Sequence, residues 1–408
     1  TRFYIEKRTV EDKYCGPLIK TIMTRCIHCT RCVRYAAEIA GVDILGTLNR
    51  GGHTEIGAYL PRVFQTEIAG NVIDLCPVGA LTSKPYAFTA RPWELRTAES
   101  IDVLDSLASN IFIDFKETEA LRILPRSNED VNEEWISDRI RFSYDAIRRQ
   151  RISDIYLRSN NQFIQKDWSD CLSILKDKIN NSNLLILVPS SIDIQSLNLL
   201  KSLANKSNIR LSCIDSNLSR SYNTVWNHFG SATILDLEKS DICFLLGVNP
   251  RFEGAVLNIR IRSQYLKGNY SIVHFGSPYK SNISTNFLGI SLNELFNIFE
   301  GRSNLQSIIS SAKLPYFIIG DALLKRIDLN LIFTHFTQLN HNSKILPLSN
   351  KINLQNSIFH NIRKFQMQDL NWANTIMSLY LDDNQIIRKI LTNTKINIKS
   401  KFKIWGHS

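Results

Sequence analysis

Cys26, Cys29 and Cys32 are each separated by two residues in the run Cys26-Ile27-His28-Cys29-Thr30-Arg31-Cys32, and a fourth cysteine, Cys76, is followed at once by Pro77. Three thiolates at that spacing on one tight loop reach three corners of a cubane, and a remote Cys-Pro closes the fourth, so the pattern reads as the ligand set of one 4Fe-4S cluster. Zinc is the rival, because it also accepts four thiolates, but it usually takes two separate Cys pairs. Arg25, Arg31 and Arg34 flank the triplet. A cubane held by four thiolates carries net negative charge, so nearby cations favour its reduction, although side chains at this spacing can equally face solvent. His28 lies inside the triplet but is read as a non-ligand, since four cysteines already suffice. Of the eight cysteines, the remaining Cys15, Cys171, Cys213 and Cys243 have no partner at ligand spacing and read as buried core thiols. The pattern is that of a reducing compartment, not of a secreted disulfide framework.

A chain of 408 residues with 44% apolar and 21% charged residues can bury at least one full core and divides into two or three domains. The longest apolar runs, such as Ile242 to Val248, fall far short of the roughly 18 to 20 residues that span a bilayer, so no membrane span is expected. The sequence begins at Thr1 without a signal pattern, from which a removed start or a longer precursor is expected. After about residue 150 Asn becomes dense and the apolar choice shifts to Ile and Leu. Recurring apolar runs exclude a disordered tail, and codon bias in an AT-rich, organellar gene explains the shift.

Three segments follow from the pattern: a cluster domain over 1–96, a small β-rich segment and connector over 97–151, and an α/β domain over 152–408. In the first, Ala36 to Ala40 and Thr66 to Leu75 read as helix and Gly51-Gly52 as a turn. In the second, Asn110 to Phe115 and Ala120 to Leu124 read as strands, and the charged stretch Glu133 to Arg151, with Trp135, Phe142 and Tyr144, as an exposed connector or docking surface. In the third, strand candidates at Asn183 to Pro189, Ile209 to Asp215, Ser240 to Val248, Tyr270 to Phe275 and Leu314 to Ile319 alternate with helical patterns such as Ser169 to Ile179 and Asp193 to Ala204. That rhythm is the signature of a parallel α/β sheet. No Gly-x-Gly-x-x-Gly and no Walker loop occurs, which argues against a nucleotide site of either kind.

Long stretches around these cysteines resemble the 75 kDa iron-sulfur subunit family of respiratory complex I, in its mitochondrial form. They are Val10 to Lys13, Gly16 to Cys32, Asp74 to Glu94 and Asn132 to Asp138, with Gly247-Val248-Asn249-Pro250-Arg251-Phe252-Glu253 further on. The resemblance implies an electron relay in the peripheral arm of NADH:ubiquinone reductase, passing single electrons from NADH and FMN toward ubiquinone, with no catalytic residue of its own. Implied partners are the flavin-bearing subunit and the next iron-sulfur subunit, at the matrix side of the mitochondrial inner membrane. The family's amino-terminal 2Fe-2S and second 4Fe-4S motifs are missing here, so a second gene product or a trimmed chain is expected. The α/β part resembles the molybdopterin oxidoreductase fold, with Gly247-Val248-Asn249-Pro250 kept as a strand-end turn. Few glycines remain to build pterin-binding loops, so neither molybdenum nor molybdopterin is expected. Some bacterial relatives carry a further cluster in the region matching 97–145, where this chain has no Cys, so that cluster is expected to be absent.

Two competing readings remain. One is a subunit of a molybdenum-dependent oxidoreductase such as formate dehydrogenase, which shares the fold. The other is a zinc-stabilised nucleic-acid binder, suggested by the formal charge of +11. Its basic residues form no stripe with interleaved aromatics except at Lys84 to Arg96, so no nucleic acid is expected as a partner.

Overall fold

The computed structural model describes residues 10–58, 63–148, 154–159, 162–189, 192–205, 208–213, 231–268 and 270–300, and beyond these chiefly 304–324, 340–349, 375–379 and 400–404. The chain divides into two compact units, one of 1–149, 231–321 and 334–350, the other of 150–230, 322–333 and 351–408.

The first unit begins with strand β1 (Ile19–Thr21), the hairpin β2 (Leu45–Leu48) and β3 (Glu55–Ala58), and β4 (Leu81–Ser83). β4 pairs antiparallel with β1, Thr21 facing Leu81. Helix α1 (Arg31–Arg34) runs on as a wider turn of helix through Tyr35–Ala40, and a second short helix, α2 (Asn71–Leu75), ends at Cys76. The helix expected over Thr66 to Leu75 therefore starts later, behind turns at 67–70. Tyr35, Ala36, Ala40, Ile68, Val72 and Met23 form the core beneath these elements.

A three-stranded antiparallel sheet follows, β5 (Arg96–Ile101), β6 (Asn110–Lys116) and β7 (Glu119–Pro125), paired in that order. The last two were legible as apolar alternation. β5 was not, because it is an edge strand exposed along most of its length. The stretch after Glu133 is not an exposed connector as far as residue 144. Ile136, Ile140 and Tyr144, spaced four apart, are buried against Ile111 and Ile123, so the charges between them had hidden a core stripe. Residues 149–151, the end of that stretch, lie outside the described residues.

The later part of the first unit is an all-parallel sheet in the order Asn286–Gly289, Ser271–Phe275, Ile242–Leu246, Pro315–Gly320, Lys344–Leu348. Its central strands are buried at every position, which explains their unbroken apolar runs. The chain leaves Ile242–Leu246 toward one edge and returns on its other side at Pro315–Gly320, which makes the carboxyl ends of these two strands the switch point where such sheets bind ligands. Here backbone fills that point. A Cβ on Gly320 would sit 2.3 Å from the Gly247 carbonyl oxygen. Asn249 caps the helix Pro250–Glu253, its side chain accepting from the Arg251 N–H at 3.2 Å.

The second unit holds another parallel sheet, ordered Arg363–Lys364, Ile209–Cys213, Leu184–Val188, Thr375–Leu379, Ser400–Ile404. The helices Trp168–Asn181 and Ile194–Ala204 precede its strands as the sequence rhythm implies, the second capped by Asp193 accepting from Ser196 N–H at 2.7 Å. Cys213 and Cys243 are buried strand residues and Cys15 a buried thiol, but Cys171 is only half-buried on the helix Trp168–Asn181, so the core reading does not hold for it. Of the basic run Arg388 to Lys403, all but the start of the strand Ser400–Ile404 lies outside the described residues. No helix among the described residues is long and apolar enough to cross a membrane.

Two predictions follow from the packing of the first unit. Gly320→Ala forces backbone apart and should cost about 2 to 4 kcal/mol, read as a lower denaturant midpoint. Burial, with repulsion from Asp102, pushes the Asp105 carboxyl up from 3.8 to about 7. The folded state thus holds its proton where the unfolded chain has lost it, so stability falls as pH rises from 4 through 7. Asp105→Asn should flatten that fall by on the order of 2 kcal/mol, measured as the difference in denaturation midpoints across this pH range.

Candidate functional site

The three-cysteine loop is shaped by two residues in the left-handed region, His28 at φ 54° and Thr30 at φ 60°. These turn the loop between a short helical turn, Met23–Arg25, and α1, and Cys32 falls in the first turn of α1. Cys76 terminates α2, its N–H donating to Val72 O at 3.2 Å. All four thiols are half-buried and line one hollow of about 380 Å³, mouth included, walled by Met23, Ile27, Ile56, Pro77, Ala80 and Leu81. His28 is not among the lining residues.

Two backbone donors point at sulfur: His28 N–H to Cys26 Sγ at 3.4 Å and Leu81 N–H to Cys76 Sγ at 3.5 Å. Burial pushes the Cys32 thiol up to about 11; a bond from the Val33 backbone opposes this, and the charges of Cys26, Cys29 and Cys76 add to the rise. Thiolates gathered at one site repel one another unless a positive centre is shared between them. The donor set therefore fits a bound iron cluster, which takes thiolates only. Among the described residues no three Cys, His, Asp or Glu side chains converge as ligands of a single ion do. A cubane distributes its thiolates one to each iron, so four sulfurs around a hollow fit it better than they fit zinc. Arg25, Arg31 and Arg34 are exposed, and Arg31 also lines the hollow.

A buried polar knot holds α2, and with it Cys76. The Asn71 carboxamide donates to Ile136 O at 2.9 Å, Ile68 O at 3.0 Å and Tyr35 Oη at 3.1 Å. Its oxygen accepts from Ile136 N–H at 3.2 Å and from Arg141 at 3.0 Å. The Arg141 guanidinium, 4% exposed, also pairs with Asp74 at 2.5 Å, and Asp138 accepts the Gly70 N–H at 2.7 Å. Gly70 has no room for a side chain, since a Cβ there would lie 2.5 Å from Arg141 Cδ. Tyr35 and Trp135 close the knot with ring centroids 5.2 Å apart. Sequence reasoning missed all of these. Asn71 lies five residues before Cys76 but its partners Ile136 and Arg141 are 65 and 70 residues away, and a polar residue at the head of a short helix reads as solvated.

Fold and thiol constellation together define a class: an iron-sulfur protein with a molybdopterin-oxidoreductase-type α/β portion. The sequence matches three families: NADH-quinone oxidoreductase subunit 3, ferredoxin-like domain, over 16–82; NADH-ubiquinone oxidoreductase NDSU1/NuoG-like, 4Fe-4S domain, over 95–145; and Molybdopterin oxidoreductase over 141–405. It is 46% identical over 345 residues to the NADH-ubiquinone oxidoreductase 75 kDa subunit of Reclinomonas americana, covering 80% of this chain and 50% of that one. It is 42% identical over 337 residues to the mitochondrial 78 kDa subunit of Candida albicans, covering 81% and 46%. With NADH dehydrogenase (ubiquinone) iron-sulfur protein 1, mitochondrial, of Solanum tuberosum the identity is 41% over 350 residues, covering 85% and 47%. The chain belongs to the family of the 75 kDa iron-sulfur subunit of NADH-ubiquinone oxidoreductase. It spans about half the length of the curated relatives it matches.

Breaking the knot tests its hold on the site. Asn71→Leu strands Arg141 and the Ile136 backbone and should cost about 3 kcal/mol. The purified chain should then carry less iron and acid-labile sulfide, with the deficit partly restored at low temperature.

Proposed function

We propose that the chain is an electron-transfer subunit of the peripheral arm of respiratory complex I, NADH:ubiquinone reductase, relaying single electrons from NADH and FMN toward ubiquinone. The observation that carries this reading is the meeting of Cys26, Cys29, Cys32 and Cys76 around one hollow in a chain of this family. These four would hold one 4Fe-4S cluster, which supplies a one-electron couple. The chain's own residues then do three things. The loop and α2 fix the thiolates, Met23, Ile56, Ala80 and Leu81 exclude water, and the N–H groups of His28 and Leu81 stabilise charge on sulfur. No acid, base or nucleophile is required of it.

The working segments are 1–96 for the cluster, 97–151 as a small β-rich segment and 152–408 as an α/β scaffold. The stretch 95–145, although it matches a 4Fe-4S family, contains no Cys, which supports a single cluster in this chain. The α/β part is a scaffold without molybdenum or molybdopterin. Supporting this, the switch point is filled by Gly247 and Gly320 backbone and Asn249 is engaged as a cap, so the residues there do not fit a pterin. Partners are the flavin-bearing subunit and the next iron-sulfur subunit. The place of work is the matrix side of the mitochondrial inner membrane, a reading supported by the mitochondrial relatives.

Cys29→Ser should remove or convert one low-potential 4Fe-4S signal in electron paramagnetic resonance of the assembled complex, while flavin reduction by NADH persists. Retention of every cluster signal at full intensity rejects the ligand set, and iron replaced by zinc or molybdenum in elemental analysis rejects the relay.

A further inference from the structure

The arm between β4 and β5, from Lys84 to Leu95, is fastened at both ends yet turns its largest side chains to solvent. At its start Lys84 N–H donates to Leu18 O at 2.8 Å, and the Lys20 ammonium of β1 lies 4.5 Å from the centre of the Phe88 ring. Lys20 faces Thr82 of β4, beside Leu81 in the wall of the thiol hollow, so this end of the arm adjoins the site. Toward its other end Glu94 pairs with Lys116 of β6 at 3.0 Å, and Arg122 of β7 lies 4.8 Å from the Tyr86 ring centre. Between these fastenings Phe88 is 75% and Trp93 79% exposed. Phe88 also stands at φ 66°, a region costly for a bulky residue, and its ring gains little burial in return.

Strain of this kind at a solvent-facing aromatic points to a use outside the fold. Arg91 lies over Trp93 with its guanidinium carbon 5.9 Å from the ring centre, and Lys20 over Phe88, so each aromatic carries a cation. Lys84, Arg25 and Arg31 enter no ion pair among the described residues. Ile27, 61% exposed in the cysteine loop, adds an apolar tip. Aromatic anchors with arginine are the composition of protein interface hot spots. Tight binding of nucleic acid by charge takes about 6 to 10 phosphate contacts. On the arm itself Lys84, Arg91 and Arg96, with Lys20 beside them, supply four, and Glu94 and Glu99 lie nearby.

We propose that Lys84 to Arg96 is a docking arm for an acidic surface of another protein, with Phe88 and Trp93 as anchors and Lys84 and Arg91 as the charge match. It deepens the relay reading and rests on it, since a carrier beside this arm exchanges electrons with whatever docks there. The test uses the purified assembly containing the full chain. With Trp93→p-benzoylphenylalanine, illumination should cross-link the chain to one neighbouring subunit within a peptide rich in Asp and Glu. The double substitution Lys84→Glu and Arg91→Glu should raise release of that subunit in moderate salt by roughly tenfold. Phe88→Gly should weaken the same contact while leaving the thermal midpoint of the chain unchanged or higher, because glycine accepts the left-handed backbone. Cross-linking to nucleic acid, to lipid or only within the chain, no cross-link at all, or unchanged release after charge reversal overturns the proposal. Absence of any 4Fe-4S resonance from the unaltered assembly overturns the relay reading alone, since the cross-linked peptide is identified independently of it.

Discussion

Everything at the site depends on holding four thiols together around one half-buried hollow, although burying a thiolate without a countercharge is unfavourable. Cys32 shows the problem, its thiol driven up to about 11. A bound cluster would resolve it by supplying positive charge to sulfurs that the fold already holds around one hollow. Three of them share a loop whose turns at His28 and Thr30 are left-handed, so their spacing is local. The fourth arrives on α2, and its place is a tertiary matter.

The hold on α2 is polar, not apolar. Asn71 uses both ends of its carboxamide on groups from three parts of the chain, and the buried Arg141 pairs with the half-buried Asp74. Such a knot is costly to break, because each newly orphaned group then carries its full desolvation cost. It also explains why the charged stretch after Glu133 folds inward. Ile136 and Ile140 seal the sheet core while Asp138 and Arg141, on the same turns, reach the cluster side.

The parallel sheet of the first unit has the topology that elsewhere opens a ligand crevice, and here the crevice is filled by the chain's own backbone. The contact of Gly320 with the Gly247 backbone needs Gly320 to lack a side chain, and Gly247 itself stands at φ 59°. In this chain the strand ends serve packing: Asn249 caps the next helix, and Arg251 on that helix pairs with Glu67 at 2.7 Å. The ends of the two strands on either side of the switch point are thus packed closely against each other.

The sequence by itself singled out the four cysteines that line the hollow, because Cys-x2-Cys-x2-Cys and Cys-Pro are local patterns tied directly to the chemistry of sulfur and iron. It also determined the buried parallel strands, whose unbroken apolar runs admit few other placements, as at Ile242–Leu246. It did not reveal β5, whose exposed edge position imposes no pattern on its residues, nor the half-exposure of Cys171. Nor did it reveal Asn71 and Arg141, since hydrogen bonding between residues seventy positions apart leaves no periodicity behind. Which polar residues are buried together, and which aromatic residues are left in solvent, was decided only when the tertiary structure set distant segments side by side.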